Sequence, residues 1–349
     1  PRGGPRVWPC PPGDRTRATA VGSQSRQSGE AFVDLRQGLC GTARLTGARA
    51  SEGTGRMITK RQFMAGGALA GAVLLAGASR SLGLEAAAVA KRKINIAGRQ
   101  RMLTQRMAKA ACFSHLGIET AMHQQMMADA HALFAKSLKG LRYGDPDLGL
   151  TRETSQTVNT GLTKVERLWS SYGAAVEACV EAGSVDRASL DTIVAENLGI
   201  LAEMNRTVGL TEREYGGGDI PLHLAVAINI AGRQRMFTQK MTKELGMIRA
   251  GYDPDATRKT MAGTVDLFDR SLIALREGMP MVGIQPPRTE PVKAQLGVVA
   301  GLWEPVRPEL ANIADGGAIA DDFLDFMAEE NNTLLVEMNK AVFLYEDET

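Results

Sequence analysis

The sequence predicts an all-α protein made of two tandem up-down four-helix bundles related by internal duplication. Residues 94–109, INIAGRQRMLTQRMAK, return at 228–243 as INIAGRQRMFTQKMTK, a constant offset of 134 (Ile228 against Ile94). The offset holds far beyond the motif. Leu133, Phe134, Ser137, Leu138, Leu141, Arg142, Gly144, Pro146 and Gly149 fall on Leu267, Phe268, Ser271, Leu272, Leu275, Arg276, Gly278, Pro280 and Gly283. Leu168-Trp169 and Glu203-Met204-Asn205 fall on Leu302-Trp303 and Glu337-Met338-Asn339, with no insertion or deletion. Within each copy apolar residues recur at three- and four-residue intervals, and the two-residue alternation of strands is nearly absent.

The elements follow in chain order. Residues 1–56 begin with Pro1, lack Lys, Ile, Asn and His, and are crowded with Arg, Gly and Pro. They offer no periodic apolar face and are expected to be a disordered or untranslated leader. Residues 57–90 have the pattern of an export signal: basic Lys60 and Arg61, an apolar run from Ala65 to Ala78, and small residues ending Ala88-Val89-Ala90. Thr59–Met64 resembles a twin-arginine signal with Lys in the first arginine place. The run falls short of the roughly 20 residues of a membrane span. Cleavage near Ala90 and a periplasmic body are therefore expected, with an uncleaved inner-membrane anchor as the alternative.

In the first bundle, 91–214, helices are expected near 92–117, 119–142, 151–182 and 186–214. Gly144-Asp145-Pro146 ends the second helix and Gly183-Ser184 separates the third from the fourth. A linker at 215–227, containing Gly216-Gly217-Gly218, leads to the second bundle, 228–349. There Pro305 and Pro308 replace Ser171 and Ala174, and each removes a backbone donor, so the third helix is expected to kink or break.

The whole chain carries 41 Lys and Arg against 39 Asp and Glu, a formal charge of +2. The first 90 residues hold 12 of the bases and 5 of the acids, so the body is net acidic and nucleic-acid binding through bulk charge is not expected. There is no H-E-x-x-H, no nucleophile elbow and no Gly-rich phosphate loop, so neither an enzyme nor a cofactor is expected.

On a helical wheel the motif has two faces. Ile96, Leu103 and Met107 suit a bundle core. Nearly opposite lie Ile94, Ala97, Gly98, Arg101, Gln105 and Ala108. The small residues let another helix approach closely, and Ala231, Gly232, Arg235 and Gln239 repeat the arrangement. Packing the two motif helices across a pseudo-twofold axis would bring Arg101 and Arg235 together. Guanidinium groups cannot shed a proton to relieve repulsion. A small oxyanion between them would accept charge-assisted hydrogen bonds of about 1.5–3 kcal/mol each. The expected ligand-binding set is Arg101, Arg235, Gly98, Gly232, Gln105, Gln239, Ala97 and Ala231. The competing reading pairs each Arg with a carboxylate of a neighbouring helix, Glu203 or Glu337.

The segment I-N-x-A-G-x-x-R-M at Ile94–Met102 and Ile228–Met236, followed by Thr-Gln, resembles the signature of the type IV pili methyl-accepting chemotaxis transducer N-terminal (PilJ-type) domain. It is similar to the periplasmic sensor domain of NarX-type nitrate/nitrite sensor kinases. The resemblance implies four-helix bundles that bind nitrate or nitrite through this Arg, here Arg101 and Arg235. It also implies a membrane sensor kinase or chemotaxis receptor as partner. The chain ends at Thr349, directly after the last expected helix, so no output module is expected. Arg99-Gln100 and Arg233-Gln234 stand where nitrate sensors carry small or apolar residues. The alternative role is a non-catalytic structural or adaptor protein of a pilus or chemotaxis system, docking through the motif helices.

Two further features carry less. Cys112 and Cys179 either form a disulfide in an oxidising compartment or remain separate buried thiols. Met122, His123, Met126, Met127 and His131 place soft ligands on successive helical turns, but their counterparts Ala256, Thr257, Thr260, Met261 and Val265 do not repeat the set. Methionine at helical spacing is ordinarily core, so no metal is expected.

Overall fold

The computed structural model describes residues 60–348, with side chains from Gly83 onward. The expected leader 1–56 lies outside the described residues, as do the side chains of most of the expected export signal. Among the described residues there are nine α-helices and no strand. In order they are α1 (Lys60–His115), α2 (Thr120–Tyr143), α3 (Gln156–Ala182), α4 (Arg187–Tyr215), α5 (Leu222–Arg249), α6 (Pro254–Glu277), α7 (Glu290–Trp303), α8 (Arg307–Ala314) and α9 (Asp321–Asp347). No helix among the described residues is long and apolar enough to cross a membrane.

Helices α1–α4 form the first bundle and α5–α9 the second, each closing as a ring of neighbours. The break expected in the second bundle is present. α7 ends at Trp303, and Pro308 sits in the first turn of α8, where its missing N–H costs nothing. Three boundaries differ from expectation. α1 is continuous from Lys60 through Ala90, where it enters the body of the protein. α3 begins at Gln156 rather than near 151, because the Ser155 hydroxyl caps it and the buried Glu153 carboxylate accepts from the Thr154 and Ser155 amides. α5 begins at Leu222, so the connection shortens from 215–227 to 216–221, and the Pro221 carbonyl accepts from the Leu224 and Ala225 amides of the first turn.

The turn between second and third helices is duplicated in detail. Gly144 and Gly278 sit at φ 86° and 85°, a short 3-10 turn follows at Pro146–Leu148 and Pro280–Val282, and single bridges join Asp145 to Leu150 and Met279 to Ile284. A Cβ on either glycine would meet backbone at 2.9 Å, which with the positive φ explains why only Gly serves there. The aromatic packing repeats too: Trp169 stacks on Phe134 at 4.2 Å and Trp303 lies against Phe268 at 4.4 Å.

Burial separates the motif helices from the rest. From Lys93 to Ser114, every residue of α1 except Arg99 and Arg106 is buried, and α5 is likewise enclosed from Ala227 to Gly246 apart from Ile230 and Arg233. A helix enclosed on all sides is the centre of an assembly, not its wall. Ile94, Leu103, Met107 and Phe113 are at most 2% exposed, each contributing roughly 1.5–3 kcal/mol of apolar burial. The apolar face packs into its own bundle. The small-residue face is buried because α1 and α5 pack against each other.

Cys112 and Cys179 are both buried and both free, so the disulfide alternative is not realised. His123 directs Nδ1 at the Ile118 and Glu119 carbonyls and stacks on Phe113, Met126 and Met127 are core, and His131 lies against Trp169. No group of three or more His, Cys, Asp or Glu among the described residues is placed to hold a metal ion.

Candidate functional site

The contact between α1 and α5 has the register of the repeat. A Cβ built on Gly232 would lie 4.0 Å from the Gly98 Cα, and one built on Gly246 would lie 3.0 Å from the Cys112 Cβ. Each pair is separated by the repeat offset, and the two pairs are four turns apart. The helices therefore run parallel and in register. Gly98, Arg101, Gln105, Ala108 and Cys112 follow the alternating spacing of a parallel coiled-coil seam, facing Gly232, Arg235, Gln239, Thr242 and Gly246. Ala97 and Ala231, each at most 1% exposed, flank it.

At the glycine level the two arginines converge. The Cβ position of Gly98 lies 3.3 Å from Arg101 Nη2 and 3.7 Å from Arg235 Nη2, and that of Gly232 lies 3.3 Å from Arg235 Nη2 and 3.5 Å from Arg101 Nη2. Both guanidinium groups thus lie over the same pair of glycines, where an added Cβ would press on a guanidinium at 3.3 Å. Arg101 is 0% and Arg235 1% exposed.

Their partners are neutral oxygens arranged with pseudo-twofold symmetry. Arg101 donates from Nη1 to Asn205 Oδ1 at 3.0 Å and from Nη2 to the Asn229 carbonyl at 3.0 Å, with Nε 3.4 Å from the Gly98 carbonyl. Arg235 donates from Nη1 to Asn339 Oδ1 at 2.7 Å and from Nη2 to the Asn95 carbonyl at 3.2 Å and Asn95 Oδ1 at 2.8 Å, leaving Nε without a partner. Each arginine is thus held by an asparagine of its own bundle's last helix and by an asparagine at the start of the facing motif.

No carboxylate forms an ion pair with either guanidinium among the described residues. The competing reading fails on this point: Glu203 lies 3.8 Å from Arg206, and Glu337 lies 2.6 Å from Lys340 and also accepts from Gln295. Burial, the nearby Arg233 and the facing Arg235 push Arg101 well below the usual guanidinium range, against the pull of Glu212. Burial, with Arg99 adding to it and Glu346 opposing, brings Arg235 down to about 9. Arg235 is therefore a cation at neutral pH, and guanidinium as a group holds its proton in proteins. Two desolvated like charges over one spot make a strong field for an anion, and several of their N–H groups are uncommitted.

One turn further, Gln105 and Gln239 donate Nε2 to the hydroxyls of Thr104 and Thr238, and Gln239 Nε2 also to Asn331 Oδ1 at 2.5 Å, while both Oε1 atoms are buried without partners. The Thr hydroxyls donate to the backbone carbonyls of Arg101 and Arg235 at 2.8 and 2.9 Å, so this layer lies one turn along the same seam from the arginines and is tied to the motif backbone. The flanking motif residues have other tasks. Arg99 Nη2 donates to Ser137 Oγ, and Gln100 and Gln234 donate to the carbonyls of Phe134 and Phe268, all at 2.9 Å. They tie α1 and α5 to their own bundles.

Sequence reasoning passed over the asparagines. In the repeated Glu-Met-Asn at 203–205 and 337–339, Met204 and Met338 are buried in their bundles, and Asn205 and Asn339 are arginine ligands. Their repetition at the common offset was the available signal. Asn95 and Asn229 lay inside the motif itself, beyond the part of it that the wheel assigned to the small-residue face.

Comparison with known proteins reflects the internal duplication. The family model for the type IV pili methyl-accepting chemotaxis transducer N-terminal domain, PilJ, matches residues 85–192 and 221–322, once in each bundle. A curated relative, the methyl-accepting chemotaxis protein McpN of Pseudomonas aeruginosa, is 32% identical over 118 residues, which is 34% of this chain and 21% of that protein. The chain therefore matches only about a fifth of the relative's length. With two matches that together take in more than half of its residues, the chain belongs to the PilJ family of type IV pili methyl-accepting chemotaxis transducer N-terminal domains.

Proposed function

We propose that this protein is a non-catalytic sensor that binds one small oxyanion, nitrate or nitrite, between Arg101 and Arg235, and reports its bound state to a membrane sensor kinase or chemotaxis receptor. Membership of a chemotaxis-transducer family gives the coarse role, sensing for signal transduction. The observation that carries the finer reading is the convergence of two fully buried guanidinium groups over Gly98 and Gly232 with only neutral oxygens as partners. Planar, multi-donor guanidinium suits a planar oxyanion. Docking of another domain through the motif helices is disfavoured, because each motif face is already buried against the other. Export to the periplasm through the 57–90 segment completes the proposal.

A ligand that binds only the folded state adds RT ln(1 + [L]/Kd), about 2.7 kcal/mol at a hundredfold excess over Kd. Thermal melting across a panel of anions therefore tests the reading. Nitrate or nitrite at millimolar concentration is expected to raise the midpoint well beyond the shift given by chloride at equal ionic strength. Equal midpoints in all anions would overturn it.

A further inference from the structure

The asparagines that hold the arginines are themselves held by acids. Asn95 Nδ2 donates to Glu346 Oε2 at 2.5 Å, and Asn229 Nδ2 donates to Glu212 Oε2. Glu212 and Glu346 occupy the same position in the two copies, near the ends of α4 and α9. Both links cross between bundles: Glu346 of the second holds an asparagine of α1, and Glu212 of the first holds an asparagine of α5. Each amide turns its nitrogen to a carboxylate, and each asparagine gives oxygen to an arginine, its carbonyl in both copies and Oδ1 as well at Asn95.

We propose that Glu212 and Glu346 are specificity-determining positioning residues that restrict the arginine site to singly charged anions. The inference rests on the oxyanion reading above. The two carboxylates set two negative charges one asparagine away from the paired guanidinium groups, so any entering anion meets both. Coulomb energy scales with ligand charge, and a dianion meets twice the repulsion of a monoanion at the same place. The two acids are not equivalent. Arg92 Nε lies 2.5 Å from Glu346 Oε1, whereas the corresponding residue beside Glu212 is Val226 and no cation is ion-paired with Glu212 among the described residues. Glu212 is therefore the stronger discriminator.

The test uses the full chain carrying Glu212→Gln or Glu346→Gln, which keep an oxygen to accept from the asparagine and remove the charge. Nitrate and sulfate are titrated calorimetrically into each. For Glu212→Gln, nitrate affinity is expected to rise about three- to tenfold and sulfate affinity by about the square of that factor, given partial screening. Glu346→Gln is expected to give smaller rises in the same proportion. An unchanged nitrate-to-sulfate ratio, or both anions weakened alike as simple loosening would produce, overturns the inference and leaves the oxyanion reading standing. A parent protein that binds neither nitrate nor nitrite overturns both. If Glu346→Gln does not fold, Glu212→Gln, at a partly exposed position, decides the matter alone.

Discussion

Asn95 accepts two hydrogen bonds from Arg235, at 3.2 Å through its carbonyl and 2.8 Å through Oδ1, although the two residues belong to different copies of the repeat. The bond from Arg101 to the Asn229 carbonyl at 3.0 Å is its counterpart. Neither copy can complete its own arginine environment. The duplication thus builds within one chain a contact of the kind two subunits make across a twofold axis, and the body needs no second chain to cover its motif faces.

Gly98 sets the spacing of that contact. Gly98→Ala adds a methyl 3.3 Å from Arg101 Nη2 and 3.7 Å from Arg235 Nη2, both flexible side-chain ends. The gain in helix propensity, about 1 kcal/mol, is expected to offset most of the crowding, so urea denaturation should find stability within about 1 kcal/mol of the parent. Oxyanion affinity is expected to fall at the same time, because the guanidinium groups are displaced. Gly98→Leu is expected to cost stability outright, by about 1–3 kcal/mol.

The parallel register can be trapped covalently. A Cβ at Gly246 lies 3.0 Å from the Cys112 Cβ, somewhat inside the separation of about 3.8 Å in a disulfide, and 3.0 Å from the Phe113 ring, so the bond requires the helices to part slightly and that ring to shift. Burial pushes the Cys112 thiol up to about 12, so oxidation belongs in the refolding step, when the thiol is accessible. Gly246→Cys in a background carrying Cys10→Ser, Cys40→Ser and Cys179→Ser, refolded in oxidant, is expected to lose its titratable thiols. Retention of free thiols in the folded product would place the helices in another register.

His123 gives the fold a pH dependence of known sign. Burial is the main cause that lowers its pKa to about 4, with Lys109 and Arg106 adding to it, while the Ile118 and Glu119 carbonyls oppose. Between about 6.5 and 4 the unfolded chain binds a proton that the folded chain refuses, so stability falls as pH drops through that window. The full loss is of order 3 kcal/mol. Unfolding free energies measured from pH 7 to 4 are expected to fall less steeply in His123→Gln, and equal slopes would assign the acid sensitivity to other groups.

Much of this was legible in the sequence, for reasons that individual residues make clear. Ile94, Gly98, Arg101 and Gln105 advertise a second buried face because periodicity and small size are visible in one dimension, and the constant offset implies matching partners. The asparagine and glutamate links were not legible as such. Asn205 and Glu212 carry no periodic signature, and their role exists only once α4 is laid beside α1 and α5. The continuous start of α1 and the short 216–221 connection were hidden for a different reason. The start of α5 falls directly after Pro221, and the added turns of α1 from Lys60 precede the motif, so motif matching registers neither.

The central claim is that one chain holds one anion between two arginines, and binding stoichiometry tests it most directly. Calorimetric titration of the protein with nitrate is expected to give one site per chain, and Arg101→Ala or Arg235→Ala alone is expected to abolish it. Two sites per chain, with each single substitution leaving one intact, would contradict the shared pocket.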